Sequence, residues 1–317
     1  MRRTSGAVLA LTAIVAVSGC GAAESAPSAA ESGLTKDQAQ TILREFDEGD
    51  SAATTSGDPA ALAKHEAEPL LSASIAASRR AKQENRPQPG FTHRDPLFAL
   101  PGRAADCLLV SGKVSLLGEE LSKQSVSHFA KDASGAWKMD NSINLTQGAA
   151  TSVAGFGQGG AVSGFPADDV KAKLRDELFA RTTGTGTPGG GTVAPSPVLD
   201  NQFAAGWKTY EQTLAGQQRK VKRRLDGAVW SACGAPVGGG TVVFVTVRVT
   251  DVLESTGGAP VELAAGTPDL VATGHAEAVR GTSVEISRAE SFLLLIPAGG
   301  PAAVLGLSDT ATAVTGH

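Results

Sequence analysis

The chain has 317 residues, of which 41% are hydrophobic, and its formal net charge is −4 at pH 7. This mild acidity argues against nucleic acid as a partner and against electrostatic attraction to an anionic bilayer. Aromatic residues make up only 4% of the chain, so its core must be mostly Ala, Val and Leu, and its length allows two domains of ordinary size.

The N-terminal segment is typical of an export signal. Two arginines precede the mostly apolar stretch Gly6–Val17, which as a helix would cover about 18 Å of the roughly 30 Å hydrocarbon core. The following Ser-Gly-Cys resembles the lipobox of bacterial lipoproteins, which predicts a signal peptide over residues 1–19, cleavage between Gly19 and Cys20, and a diacylated Cys20. The alternative is ordinary signal cleavage with an incidental cysteine. Residues 20–33 are small and polar and predict a flexible tether.

Folded structure is predicted to begin at Thr35, which forms a capping-box pattern with Gln38. The segment Gly49 to Pro59 is predicted to break this first helix. A second helical stretch then follows at about 60–83, and Pro69 should split it because proline removes a backbone donor. Strand-like runs come next, at about 105–116, 124–131 and 136–143.

The second half repeats this order. A helix is predicted over Asp168–Leu178, and after a Gly/Thr/Pro-rich break a longer one over Leu199–Arg224. The longer helix carries an apolar stripe of Phe203, Trp207, Tyr210 and Leu214. We expect Trp207 and Tyr210 to belong mainly to the core, and to line any cavity left between helix and sheet. Strands are then predicted at about 227–233, 241–253, 270–280, 283–296 and 302–307.

The repeated order of helices followed by antiparallel strands predicts an α+β fold with two related units, each with helices packed on a curved antiparallel sheet. The first unit is predicted over residues 34–147 and the second over 166–317. A glycine-rich linker, residues 148–165, is predicted to join them.

Three segments carry a family resemblance: Leu34–Ala39, Phe91–Pro101 and Phe129–Met139. They resemble a family of actinobacterial lipoproteins built around a tandem domain of unknown function. The resemblance implies units similar to the nuclear-transport-factor-2 (NTF2-like) or cystatin-like type. It implies no activity, so it supplies no active-site residues.

Two cysteines remain beyond the predicted lipid-attachment site, Cys107 and Cys233. Outside the cytoplasmic membrane such a pair can persist as a disulfide, which would join the two halves. The alternative is two buried free thiols, and the sequence leaves both open.

Two local motifs match catalytic or nucleotide-binding patterns only superficially. The segment Gly155–Gly160 fits G-x-G-x-x-G, but a continued loop follows where the dinucleotide fold needs a helix. It is interpreted as part of the linker. The triplet His93-Arg94-Asp95 lacks the asparagine that the kinase motif requires five residues on, and is interpreted as a turn before Pro96.

The five histidines, His65, His93, His128, His275 and His317, show no metal-ligand spacing. Of these, His128 and His275 lie in strand-like runs and could meet carboxylates in the fold. We therefore predict no catalytic, metal-binding or cofactor-binding residues and no cofactor.

Two basic clusters, Arg79–Lys82 and Arg219–Arg224, are predicted at the C-terminal ends of the long helices. Cations there complement the helix dipole. The alternative is a paired site for an anionic ligand or lipid headgroup.

The sequence favours a lipoprotein on the outer face of the cytoplasmic membrane, acting as a binding or scaffolding module in the cell envelope. Its expected partners are the membrane, through the lipid on Cys20, and an envelope protein or a small apolar ligand. The alternatives are an enzyme with a pocket-based acid–base pair (a hydrolase or isomerase) and a structural spacer. The enzyme would require a polar pocket with a histidine and a carboxylate in contact.

Overall fold

The computed structural model describes residues 33–100, 106–116, 119–163, 165–186 and 191–317. Residues Gly33–His317 form one compact unit. The predicted signal peptide, the cleavage site at Gly19 and Cys20, and the tether up to residue 32 lie outside the described residues. No helix in the described ranges is long and apolar enough to cross a membrane.

The first half consists of three helices followed by four strands. Their bounds are α1 Lys36–Ser56, α2 Pro59–His65, α3 Leu70–Gln83, β1 Phe91–Ala99, β2 Cys107–Leu116, β3 Glu119–Lys131 and β4 Trp137–Asn144. The strands form one antiparallel sheet in the order β1-β2-β3-β4. The predicted split of the second helical stretch at Pro69 is confirmed, since α2 ends before Pro69 and α3 begins after it.

The second half contains three more α-helices, a short π-helix at Val198–Phe203 and eight strands among the described residues. Their bounds are β5 Val162–Ser163, α4 Asp168–Thr182, α5 Ala204–Gly216, β6 Arg219–Trp230, β7 Cys233–Val237, β8 Gly240–Ser255, β9 Val261–Leu263, α6 Pro268–Thr273, β10 Val279–Gly281, β11 Ser283–Ile296 and β12 Ala303–Gly316. The large antiparallel sheet has the order β12-β11-β8-β7-β5, and β6 also pairs with β8. Strands β9 and β10 form a separate pair. A mixed α+β fold with antiparallel sheets is therefore confirmed.

Helix α1 begins where the sequence predicts it. The side chain of Thr35 accepts a hydrogen bond from the backbone N–H of Gln38, and the Gln38 side chain accepts one from the Thr35 N–H. The break predicted over Gly49 to Pro59 is placed too early, because α1 continues through Ser56 and is capped by Gly57, which adopts a left-handed φ of 61°. A Cβ on Gly49 would collide with the imidazole of His65. The glycine therefore serves the close approach of α2 to α1.

The His93-Arg94-Asp95 triplet lies within strand β1, so its interpretation as a turn is wrong. The strand keeps its pairing with β2 but shifts register between Arg94 and Leu97, and Asp95 has a positive φ of 49°. Pro96 lacks the N–H that a ladder hydrogen bond needs, which explains a bulge at this place. His93 precedes the bulge and is buried.

The basic run Arg219–Arg224 belongs to strand β6, so its predicted place at a helix end is wrong. Helix α5 ends at Gly216, and Gln218 turns the chain with a positive φ of 57°. The solvent exposure of the side chains then alternates between successive residues of β6, which is the two-residue period of a β-strand. Arg219 and Arg223 lie on the partly buried face.

The predicted strand at 270–280 is also wrong in part. Residues Pro268–Thr273 form α6, with proline in the first turn and Gly274 in the left-handed conformation after the last turn. A proline in the first turn and a glycine after the last turn are both signals of helix ends, so the sequence of this segment itself indicates a short helix. His275 follows this helix and lies outside the strands.

The segment predicted as a linker, residues 148–165, contains a short 3-10 helix (Ala149–Val153), several turns and β5. The G-x-G-x-x-G match at Gly155–Gly160 lies in the turns, and the next helix begins only at Asp168, so the dinucleotide-binding geometry does not form there. Gly157 has a φ of 82° and packs against the backbone of Phe98.

The apolar interior spans both halves. One cluster lies between α1 and the first sheet, and two lie between the large sheet and α4, α5 and α6. A fourth combines residues of β2 and β3 with residues of β7, β8 and β11. Cys107 and Cys233 lie in that shared cluster and form a disulfide, with their Cα atoms 6.2 Å apart.

A candidate ligand cleft over a buried charge network

A cleft of about 260 Å³ lies between α5 and the large sheet. This volume is near the lower end of small-molecule sites, which are typically about 300–1,000 Å³. Its lining combines aromatic, charged and amide side chains: Thr182, Gln202, Phe203, Gly206, Trp207, Tyr210, Arg223, Asp251, Arg288 and Asp309.

The aromatic wall of the cleft comes from the predicted apolar stripe. Trp207 and Tyr210 are in edge contact, with ring centroids 5.9 Å apart, and Phe203 lines the same cleft. The guanidinium carbon of Arg223 lies 4.3 Å from the ring centre of Trp207. Burial raises the pKa of Tyr210 to about 12, so its hydroxyl stays protonated at neutral pH. Leu214, the last residue of the stripe, belongs to the core instead.

Arg223 begins the charged floor of the cleft. It lies opposite Asp251 in the β6–β8 register and holds it in two parallel hydrogen bonds, Nε to Oδ1 at 2.6 Å and Nη2 to Oδ2 at 2.9 Å. The third nitrogen, Nη1, donates to Oε1 of Glu290 at 2.6 Å. Asp251 and Glu290 are each 1% exposed, so this is a buried bidentate pair with a second carboxylate beside it.

Arg288 on β11 bonds to Asp251 as well and adds two further carboxyl groups. Its Nε donates to Asp251 at 3.0 Å, its Nη2 to both oxygens of Asp269 at 2.8 and 2.9 Å, and its Nη1 to Asp309 at 3.1 Å. Burial acts against the charged form, but Asp309, Asp269 and Asp251 together raise the pKa of Arg288 above its ordinary value. The guanidinium therefore stays charged and ties β8, α6 and β12 to β11.

The network holds more acidic than basic groups. Four carboxyl groups surround the two guanidinium groups of Arg223 and Arg288. Burial raises the pKa of Glu290 to about 7 although Arg223 opposes this, and within the described part of the chain Glu290 Oε2 has no hydrogen-bond partner. Since every nitrogen of the two guanidinium groups already donates to a carboxylate, the groups that the cleft offers to a ligand are mainly carboxylate oxygens and aromatic faces.

A second cleft, of about 480 Å³, lies beside α1 in the first half. Trp137 and Lys131 line it, and the Lys131 nitrogen lies 5.3 Å from the Trp137 ring centre. Both clefts therefore place a cation against a tryptophan. The cleft over α5 differs by the buried network behind its wall.

The first half contains a buried relay that the sequence reasoning missed. His93 Nδ1 lies 2.7 Å from Asp47 Oδ1, and its Nε2 lies 3.3 Å from the hydroxyl of Ser127, which contacts Ser142 at 3.0 Å. The order acid, imidazole, hydroxyl is that of a serine hydrolase. However, Ser127 is fully buried, and the imidazole of His93 is 0% exposed. A substrate in solution has no access to this hydroxyl.

A second imidazole–carboxylate pair lies in the first half, beside the disulfide. His128 Nδ1 lies 2.7 Å from Asp140 Oδ1, and its Nε2 lies 4.0 Å from Sγ of Cys233. The β3–β4 register shifts at His128, so Asp140 is the extra residue of a bulge. The imidazole is fully buried. The expectation that His128 could meet a carboxylate is confirmed.

A pair of buried carboxyl groups lies under the helices of the first half. Asp50 on α1 and Glu66 after α2 share a hydrogen bond, and Glu66 Oε1 accepts another from Ser74 Oγ at 2.7 Å. Burial, and then the charge of Asp50, raises the pKa of Glu66 to about 9, and burial raises that of Asp50 to about 6. No positively charged side chain bonds to either group among the described residues, so protonation takes the place of an ion pair.

The other sequence candidates lie away from the cleft. His275 Nδ1 lies 2.9 Å from Thr273 Oγ1, and neither His275 nor His128 lines the cleft over α5. Lys220 and Lys222 form ion pairs with Glu254 at 2.9 and 3.1 Å. Part of the second basic cluster is therefore already neutralised.

The central residues of the network were not identified from the sequence. Asp251 and Glu290 lie at inward positions of apolar strands, among Val and Leu residues. A charged residue at such a position needs a buried partner of opposite charge. The presence of an acidic residue inside an apolar strand was therefore the sequence signal that could have indicated the network.

Two comparisons with known proteins bear on the chain. A protein-family profile described as "Domain of unknown function (DUF8094)" matches residues 30–316. No curated protein matches the sequence.

Proposed function

The chain belongs to the DUF8094 family, and we propose that it is a membrane-anchored extracytoplasmic lipoprotein that binds a small ligand in the cleft over α5. The observation that carries the binding function is the cleft itself, with an aromatic wall in front of a buried network rich in carboxylates. In this proposal the two halves are related NTF2-like units. Each has helices packed on an antiparallel sheet, and such folds leave space between these layers.

The anchoring part of the proposal rests on the sequence. Cys20 follows a short apolar stretch and a Ser-Gly pair, the arrangement found in lipoprotein signals. A stable anchor requires two acyl chains, which a diacylated cysteine supplies. The small, polar residues of the predicted tether would then separate the folded part from the bilayer.

The ligand class follows from the lining of the cleft. A flat apolar group can stack on Trp207 and Tyr210, and a positively charged or hydrogen-bond-donating group can approach Asp309, whose side chain lines the cleft and is 28% exposed. Each nitrogen of the Arg223 and Arg288 side chains already donates to a carboxylate, which disfavours pairing of either guanidinium with an anionic ligand. We therefore propose a small amine or other cation with an aromatic or aliphatic body.

The enzyme alternative receives less support. The imidazole–carboxylate pairs His93–Asp47 and His128–Asp140 have the right contacts, but both imidazoles are 0% exposed. An acid–base pair must reach its substrate to work. The scaffold alternative, with an envelope protein as partner, remains compatible with the same anchor.

Binding can be tested with matched probes on the purified chain. Phenethylamine and 3-phenylpropionate have similar bodies and opposite charges. We expect phenethylamine to bind, as seen by tryptophan fluorescence and thermal shift, and Trp207→Phe or Asp309→Asn to weaken it at least tenfold. Trp230→Phe, a tryptophan outside the cleft lining, is the control and should bind normally. Equal binding of both probes, or no effect of the two cleft variants, would contradict the proposal.

The anchor is tested separately by metabolic labelling with a palmitate analogue. Wild type should incorporate label and fractionate with membranes, whereas Cys20→Ala should do neither. Equal labelling of the two proteins would contradict lipid attachment at Cys20.

A further inference from the structure

The disulfide between the two halves has an imidazole beside it. Cys107 on β2 and Cys233 on β7 are 126 residues apart in sequence, and both are buried. The two sulfur atoms and a ring nitrogen of His128 lie within 4.8 Å of one another. These three atoms belong to the donor types that thiophilic metal ions prefer.

The orientation of His128 suits a metal ligand. Its Nδ1 is held by Asp140 at 2.7 Å, which leaves Nε2 directed at Sγ of Cys233 at 4.0 Å. Metal-binding histidines commonly donate their other ring nitrogen to a carboxylate, which fixes the tautomer and the ring plane. Asp140 occupies this supporting position through the bulge in β4.

The distances fit a zinc site once the sulfurs separate. With Zn–S of about 2.3 Å and Zn–N of about 2.0–2.1 Å, a tetrahedral site places sulfur and nitrogen about 3.6 Å apart and two sulfurs about 3.8 Å apart. The Cys233–His128 distance is within about half an ångström of the first value. Two thiolates also balance the charge of Zn²⁺, so the complex is neutral in an apolar core that includes Val126, Phe244 and Leu293.

We propose that Cys107, Cys233 and His128 form a zinc site when the disulfide is reduced, with water completing the coordination. The cross-link between the halves would then exist in two exclusive forms, a covalent bond or a bound metal ion. Both join β2 to β7 at the same point of the shared core.

The conversion balances with a dithiol as reductant. The dithiol supplies two electrons and two protons, the Cys107–Cys233 bond breaks to two thiols, and the dithiol becomes a cyclic disulfide. Zn²⁺ then displaces the two thiol protons to the buffer and accepts the imidazole nitrogen lone pair.

The test uses the full chain, reduced with dithiothreitol in urea and refolded anaerobically after removal of the reductant, with and without Zn²⁺. We expect the reduced protein to bind one Zn²⁺ per chain, measured against a chromophoric chelator, and the oxidised protein to bind none at this site. His128→Gln keeps both cysteines and should lose at least 100-fold in affinity. Asp140→Asn should lose about 10–100-fold, and the control His275→Gln should bind like wild type.

Zinc should also raise the melting temperature of the reduced wild type but not of reduced His128→Gln. The inference is overturned if the reduced wild type binds no zinc, or if His128→Gln binds it equally well. It is also overturned if the reduced chain fails to regain its native circular dichroism with zinc present. A parallel titration with Cu(I) distinguishes the two thiophilic ions, and binding of Cu(I) without Zn²⁺ would overturn the assignment to zinc.

Discussion

The buried carboxyl pair under the first-half helices makes stability depend on pH. Glu66 has a pKa of about 9 in the folded protein against an ordinary value of 4.5. Because the folded pKa is the higher one, its contribution to stability is fully present below the unfolded value and is lost as the pH rises towards 9. Replacing Glu66 by Gln removes the titration. The amide oxygen can still accept the Ser74 hydroxyl, and the amide N–H can still donate to Asp50.

The size of the stability change follows from the pKa shift of Glu66. One pKa unit corresponds to about 1.36 kcal/mol, so Glu66 costs about 3 kcal/mol of stability at pH 7 relative to its protonated form. Between pH 5 and pH 8 its contribution should fall by about 4 kcal/mol. Glu66→Gln should therefore match the wild type near pH 5 and exceed its unfolding free energy by about that amount at pH 8.

Urea unfolding of both proteins, followed by circular dichroism at pH 5, 6, 7 and 8, measures this difference. Glu68→Gln is the matched control, because it removes an exposed carboxylate two residues away and should change the pH dependence little. A stability difference between Glu66→Gln and wild type that stays constant from pH 5 to pH 8 would refute the reasoning.

Three further outcomes follow from the packing and the charge network. Arg288→Met leaves Asp269 and Asp309 without their cation and should cost about 3–5 kcal/mol. Arg280→Met removes an exposed ion pair worth about 0–1 kcal/mol, and urea unfolding compares the two variants. Gly306→Ala places a Cβ against the backbone of β4 and should lower the unfolding free energy by about 1–3 kcal/mol. Gly299 has open space around it, so Gly299→Ala should leave the stability nearly unchanged. A lower melting temperature for Gly299→Ala than for Gly306→Ala would contradict this packing. A fluorophosphonate probe should leave Ser127 unmodified under native conditions, and mass-spectrometric detection of the adduct would revive the hydrolase alternative.

Local signals predicted the helices and most of the strands of the first half. The capping box at Thr35 acts within four residues, so a single sequence is enough to place the start of α1. The prediction that the basic run of β6 is helical failed for a physical reason. Arg223 occupies an inward-facing position of β6, and Asp251 on β8 neutralises its charge. Because a charged residue stands where an apolar one is expected, the alternation of apolar and polar residues that indicates a strand is not visible in the sequence.

Long-range polar pairing left no local signal at all. Asp47 and His93 are 46 residues apart, and Arg223 and Glu290 are 67 apart. On α1, Asp47 has the sequence appearance of a solvent-exposed helix residue, and only the packing of β1 against the helix shows that it is buried. The cleft over α5 was predictable in its aromatic wall but not in its charged floor.

The two halves stabilise their buried carboxyl groups in different ways, and this difference indicates which half is suited to ligand recognition. Asp50 and Glu66 have no cation bonded to them among the described residues, so they share a proton and respond to pH. In the second half the guanidinium groups of Arg223 and Arg288 bond directly to the buried acids, so ion pairs stand where the first half has none, although burial still raises the pKa of Glu290 and of Asp309. A fixed charge pattern can select a ligand by its charge, whereas a pair that loses its charge on protonation cannot. The cleft over α5 is therefore the better candidate for recognition, and the first-half pair acts on stability.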